Sequence, residues 1–224
     1  MFGHHRLGAM RRLPSREVML EEVLALEPEH QERVLEYLRI HHVLVETYPE
    51  RLFLATCFFP RVTGVVLNVG VMEMNKDDHL LLKDPQLMRS LDTDTTCAAW
   101  GSPFGHETRD FLDWYPESAL GGITLFGAIG DRNDRSPDAA HLGVEHADQV
   151  AEHSAQLLAP RGQILLGIEL NHSSRRARRQ NVRVWSRWLQ QSQPMRNLFD
   201  GLEVFEGRNN IIVIADRSAE PAQV

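Results

Sequence analysis

The run Val65-Val66-Leu67-Asn68-Val69-Gly70-Val71 constrains the fold more than any other part of these 224 residues. Its apolar character is continuous rather than alternating, which is how a strand reads when both of its faces are buried in a parallel sheet. Similar segments follow downstream. Residues Leu87 to Leu91 end in Asp92-Thr93-Asp94, a short third strand ends around Thr108-Arg109-Asp110, and Ile123 to Gly127 and Gln163 to Leu170 supply a fourth and a fifth. Between the last two, the stretch from about Pro137 to Leu158 has helical periodicity, with Val144, Ala147, Val150, Ala151, Ser154, Leu157 and Leu158 on one side. Pro160-Arg161-Gly162 breaks it. A second helix spans roughly Ser174 to Gln191. The segments Leu202 to Gly207 and Ile211 to Ala215 then flank the turn residues Gly207-Arg208-Asn209-Asn210, an antiparallel hairpin. Strand and helix alternating before a terminal hairpin describe an open α/β sheet.

Ahead of the sheet lies a helical extension. Ser15 occupies an N-cap position before Arg16 to Leu24, and a second helical stretch starts near Pro28. Its stripe of Val34, Leu35, Leu38, Val43, Leu44 and Val45 closes at Tyr48-Pro49, so the opening segment reads as a helical hairpin. The expected organisation is an N-terminal extension over residues 1–60, a sheet domain over 61–218 and a flexible tail over 219–224. The extension serves either as a lid over an acceptor pocket or as a homodimer surface, since both uses bury the same face.

Composition narrows the setting. No stretch approaches the ~20 apolar residues of a membrane helix, and the first twenty residues carry arginines and histidines without an apolar signal region. Cys57 and Cys97 are too few for a disulfide framework and read as free thiols, which suits a soluble protein of the reducing cytoplasm. A net charge of −7 argues against a surface that grips nucleic acid or anionic lipid all over.

Ligands of open α/β sheets bind outside the carboxyl ends of the strands, where the strand order reverses. At the first such end, Asn68-Val69-Gly70 offers one glycine, and Met72 and Met74 stand where a dinucleotide fingerprint needs more. A pyrophosphate requires closer backbone approach than that, whereas a nucleoside without phosphates does not. Asp92 follows Gly70 by 22 residues, close to the ~20-residue offset of an acidic group that accepts ribose hydroxyls. The bland alternative is that Asp92 or Asp94 caps the next helix. Asp110-Phe111 at the third strand end can bond an adenine amino group and cover its face; the alternative is a turn aspartate beside a core phenylalanine.

Taken together, these segments resemble the class I S-adenosylmethionine-dependent methyltransferases over roughly residues 62 to 217. Val65 to Gly70 is similar to the first-strand motif, with Asn68 where that family usually has Asp or Glu. Leu91-Asp92-Thr93-Asp94 resembles the second-strand motif, and Arg109-Asp110-Phe111-Leu112 the adenine-contacting stretch. Leu157 to Leu166 resembles the helix, turn and fifth strand, and the terminal hairpin matches the family's added antiparallel strand. The resemblance implies a Rossmann-like, mostly parallel seven-stranded sheet with helices on both faces. It implies S-adenosyl-L-methionine as cofactor, held around Asn68, Gly70, Asp92, Thr93, Asp110, Phe111, Phe126 and Gly127. Two departures stand out: a single glycine remains of the usual three, and Gly121-Gly122 replaces the acidic residue that often opens the fourth strand.

The implied reaction is methyl transfer to a small-molecule acceptor, with a catalytic base sought in the loops after strands four and five. Asp131 lies in the first loop. His172 lies in the second and has a suitable unperturbed pKa, although a solvent-exposed helix-start histidine is the plainer reading. His141, His146 and the other histidines lack the spacing of a zinc motif, so no metal is expected. Arg175, Arg176, Arg178, Arg179, Arg183 and Arg187, with Trp185 and Trp188, form a basic helix. On an acidic chain it reads first as a solvated face with its tryptophans on the sheet; contact with RNA as acceptor is the alternative. A non-catalytic binding or assembly subunit, suggested by the missing glycines, is the third reading.

Overall fold

The computed structural model describes residues 10–71, 73–130, 143–170 and 174–219. In chain order these form β1 (Arg11–Arg12), α1 (Arg16–Ala25), α2 (Pro28–Ile40), α3 (His42–Thr47) and α4 (Pro49–Phe53), which runs on into a π-helical turn over Leu54–Phe58. Next come β2 (Val66–Val69), β3 (Met88–Asp92), β4 (His106–Thr108) and β5 (Leu120–Gly130). The chain continues with α5 (Ala147–Leu157), β6 (Leu158–Glu169), α6 (Arg175–Gln191), α7 (Gln193–Asn197), β7 (Phe199–Glu206) and β8 (Asn210–Arg217). No helix among the described residues is long and apolar enough to cross a membrane.

All strands belong to one sheet in the order β1-β7-β8-β6-β5-β2-β3-β4. Counted from β2, seven strands follow the order 3-2-1-4-5-7-6. That is the doubly wound 3-2-1-4-5 pattern, with an antiparallel strand, β8, inserted between β6 and β7. The remaining ladders are parallel. Among the described residues the expected seven strands are therefore present, and the sheet has an eighth. Arg11 and Arg12, in the polar lead-in, pair with Phe205 and Glu206 at the outer edge. An edge strand needs only one row of backbone partners, so no apolar run marks it in the sequence.

Strand pleating divides the core into two clusters. Leu67, Val69, Ile123, Leu125, Ile164 and Leu166 face α5, α6 and α7, where Trp185 and Trp188 meet edge to face at 5.6 Å. Val66, Phe126, Leu165, Ile212 and Ile214 face the N-terminal helices. Helices thus cover both faces, but by an unexpected route. Among the described residues, the chain after β2, β3 and β4 makes only short 3-10 turns, so α1 to α4 cover the face that crossover helices would otherwise fill. The extension is also longer than a hairpin. Pro49 starts α4 at its first position instead of closing the helical region, as its fixed φ permits. Within the stripe Val34 and Val45 are buried, whereas Leu35 and Val43 point outward.

Local signals explain the other elements. Ser15 accepts from Val18 N at 3.4 Å, and Ser174 caps α6 through Ala177 N at 3.0 Å. The Pro160-Arg161-Gly162 break lies inside β6, not before it. Arg161 takes a left-handed φ of 63°, and the register with β5 slips between the Leu120 and Gly122 pairs.

Candidate functional site

The strand order reverses between β2 and β5, so their carboxyl ends form the topological switch point. Two features meet there. Gly70 ends β2 with φ at 77°, and its N–H donates to Leu91 O at 3.0 Å. In β5 the register shifts between Phe126 and Ile129, a bulge containing Gly127 and Ala128. A Cβ on residue 70 would stand 2.7 Å from the Ala128 Cβ. Both the backbone conformation and the space demand glycine.

The next two strands close on the same edge. Asp92 pairs with Thr108 in register, and Arg109 N donates to Asp92 O at 2.8 Å, so Asp92 and Asp110 end neighbouring strands. Asp92 is half-buried, and one of its carboxylate oxygens accepts from Asp94 N at 2.8 Å. Thr93 beside it is exposed. Asp94 caps the following turn through Thr96 N and Thr96 Oγ1, at 2.8 and 2.7 Å, and these bonds hold its carboxyl below the usual range. Asp110 is exposed and accepts from Leu112 N at 2.9 Å. Both carboxylates are therefore oriented by the turns they cap, so capping and ligand contact are compatible uses of the same residues.

Three expected contact residues have partners in the core. Phe111 is buried and meets His153 edge to face at 5.0 Å. The Phe126 ring lies against Gly167, whose added Cβ would be 2.3 Å from Phe126 Cδ2, and the Arg51 guanidinium sits 5.6 Å from its centroid. Asn68, 2% exposed, is turned beneath the N-terminal helices. Its Oδ1 accepts from Thr124 Oγ1 at 2.8 Å and its Nδ2 donates to Asp78 at 3.3 Å. Asp131 and His172 lie outside the described residues.

Asn68 leads to a group that sequence reasoning missed. The Asp78 carboxylate is almost completely buried and accepts from Arg51, itself fully buried, and from Tyr37 Oη, Asn68 Nδ2 and Asn75 Nδ2. Arg51 also donates to Tyr37 Oη at 3.0 Å. This network joins α2, α4, β2, β5 and the turn after β2. It fixes the chain downstream of Gly70, where the described residues form 3-10 turns and no α-helix. The available signal was Asn68 itself, a polar residue inside an apolar strand, which requires buried partners.

Among the described residues, no group of three or more His, Cys, Asp or Glu side chains is arranged to hold a metal ion. His106 opens β4 and bonds Ser90 Oγ at 2.9 Å.

No family model and no curated protein matches the chain. Similar solved structures include the apo form of the S-adenosylmethionine-dependent methyltransferase SibL, at 14% identity and TM-score 0.48, covering 96% of this chain and 64% of that one. The N-methyltransferase NodS from Bradyrhizobium japonicum WM9, in complex with S-adenosyl-l-homocysteine, is 12% identical with TM-score 0.44, covering 91% and 98%. A putative rRNA-methylase from Clostridium thermocellum is 10% identical with TM-score 0.47, covering 80% and 96%. These are distant likenesses, and the weight rests on the sheet itself. Its strand order, switch point and inserted antiparallel strand give the chain a Rossmann-like, doubly wound sheet.

Proposed function

We propose that the chain is an S-adenosylmethionine-dependent methyltransferase whose acceptor sits over the carboxyl ends of β5 and β6. One observation carries this reading: the Gly70 turn packs against the β5 bulge while Asp92 and Asp110 close the next two strands on the same edge. The layout suits a nucleoside without phosphates. A dinucleotide site sets its pyrophosphate on a helix N-terminus. Here, among the described residues, the three-residue turn Glu73–Asn75 stands in the corresponding place. Backbone groups around Gly70 would receive the amino-acid end of the cofactor, Asp92 the ribose hydroxyls and Asp110 the adenine amino group. When bound, the cofactor supplies a methyl group activated by a sulfonium. A dry, aligned pocket over the Gly70 turn would favour that transfer, because positive charge would be lost from the sulfonium. The acceptor of this reading is a small molecule, deprotonated by Asp131 or His172.

Isothermal titration with S-adenosylhomocysteine tests it. The expected result is micromolar binding that Asp92→Ala weakens by more than about tenfold, since each charge-assisted bond to a hydroxyl contributes roughly 1.5–3 kcal/mol. No heat and no thermal shift at millimolar ligand would remove the proposal.

A further inference from the structure

Helix α6 contains six arginines and no acidic residue. Arg175, Arg179, Arg183 and Arg187 recur at every fourth position and are all exposed. They form one stripe of ~18 Å on the solvent side, opposite the buried Asn181, Trp185, Trp188 and Leu189. Arg176 adds to it at the start of the helix. A helix solvated for its own stability interleaves opposite charges at this spacing and places acidic residues in its first turn. This helix does the reverse at both places. Its cations repel one another, and the first of them stand at the positive end of the helix dipole. Among the described residues, only Arg178 is neutralised, by Glu206 at 2.6 Å.

The stripe begins at the carboxyl edge of the sheet, beside a recess of about 410 Å³. Arg12, Arg16, Arg178 and Arg208 line it, from the lead-in, α1, α6 and the β7–β8 turn. The carboxylates nearby are Glu206 on Arg178, Glu46 on Arg16 at 3.4 Å, and the buried Glu50, which accepts from Asn209 N. Arg12 and Arg208 make no ion pair among the described residues. Arginines from four separate segments therefore converge on one concavity, and the helix carries the positive charge away from it in a line.

We infer that the recess and the α6 stripe together bind the phosphodiester backbone of a nucleic-acid strand. A single phosphate would need only the recess. A row of regularly spaced cations, without counter-ions among the described residues, matches a polyanion. The net charge of −7 does not oppose this at contact range, because salt screens charges beyond ~8–10 Å. Naming the strand as the methyl acceptor, in place of a small molecule, rests on the methyltransferase reading. The binding itself does not, and it is measured without cofactor.

The test is fluorescence anisotropy of the whole chain with a labelled mixed-sequence RNA strand and, in parallel, the same sequence as DNA. Both are titrated from about 50 to 200 mM salt. The expected result is saturable binding of at least one strand at the lower salt, with log affinity falling about 0.7 per phosphate contact for each unit of log salt. Replacing Arg175, Arg176, Arg179 and Arg183 by Gln should weaken binding at least about tenfold at the lower salt and flatten that slope. Arg12→Gln with Arg208→Gln should weaken it separately. The α6 variant should melt no lower than the parent, because it relieves repulsion at the helix start. Absence of binding to both strands at the lower salt, or an affinity unchanged in the α6 variant, would overturn the inference. So would binding of inorganic phosphate in the recess that neither strand displaces. RNA preferred to DNA, or the reverse, names the strand. Strand binding without any heat from S-adenosylhomocysteine would leave this surface standing and remove only the methyl-transfer reading.

Discussion

The two faces of the sheet are secured by different physics. The face under α5, α6 and α7 is dominated by apolar side chains, and its polar contacts are pairwise: His153 bonds Trp114 O at 3.0 Å, and Trp188 Nε1 and Ser192 Oγ share Asp148 at 2.8 and 2.6 Å. The face under α1 to α4 has equally apolar surroundings but encloses an ion pair, Arg51 with Asp78, and the polar groups Tyr37, Asn68, Asn75 and Thr124. Burial stabilises the first face in proportion to area and without directional demands. The second depends on the directional bonds that Arg51 Nη2 and Asp78 make, because buried charges without partners are heavily penalised. The polar arrangement lies next to the switch point and anchors the turn after Gly70. The face that adjoins the candidate site is thus the one whose geometry is specified by directional bonds.

The largest expected effect comes from breaking that arrangement. Asp78→Ala leaves the Arg51 charge buried without its partner and should lower stability by about 3–5 kcal/mol in urea denaturation. Leu166→Ala on the apolar face should cost about 2–5 kcal/mol. Magnitude alone does not separate the faces, but additivity does. Asn68→Ala and Asp78→Ala share a hydrogen bond and should be strongly non-additive, whereas Leu166→Ala and Asp78→Ala, on opposite faces, should add to within about 0.5 kcal/mol. Additivity of the first pair would show that the network does not act as a unit.

The next effect sharpens the comparison at the switch point. Gly70→Ala forces a left-handed residue to carry a Cβ, at roughly 1–2 kcal/mol, and drives that Cβ into Ala128. It should cost stability and also abolish S-adenosylhomocysteine binding. Full binding in a folded Gly70→Ala protein would separate the turn from the site.

The smallest effect is a pH dependence confined to the network's side. His41, which stacks on Tyr37 at 4.7 Å, is held below its ordinary pKa by burial, partly offset by Asp77 at 3.0 Å. Burial lowers the pKa of His30 in the same way. When folded, both bind a proton less readily than when unfolded. The stability they contribute is present above the unfolded value of about 6.5 and is lost as pH falls through the folded value. The urea midpoint should therefore drop from pH 8 to pH 5.5, and His41→Gln should reduce that drop. An unchanged slope in the variant would count against His41.

What the sequence disclosed follows from which signals are local. The buried strands, the Ser174 cap, α6 with its tryptophans inward and the closing hairpin are each written in consecutive residues. So are Asp92 and Asp110, whose places at strand ends need only the strands to be located. The continuation of the helices beyond Pro49 was hidden because proline serves equally as a stop and as a first helical residue. The reason for Gly70 lies 58 positions away at Ala128, and Arg51 and Asp78 are 27 positions apart. No local pattern announces either contact. Asn68 and Phe126 lie in β2 and β5, which flank the switch point, but their side chains share the face that α1 to α4 cover. Strand periodicity separates the two faces without saying which one a later packing event will seal.

The most direct measurement is a crystal structure of the chain with S-adenosylhomocysteine. The account predicts the ligand across the carboxyl ends of β2, β3 and β4, its sulfur over the Gly70 turn facing β5, its ribose hydroxyls on Asp92 and its adenine amino group on Asp110. A ligand lodged elsewhere, or a ribose turned away from Asp92, would contradict it.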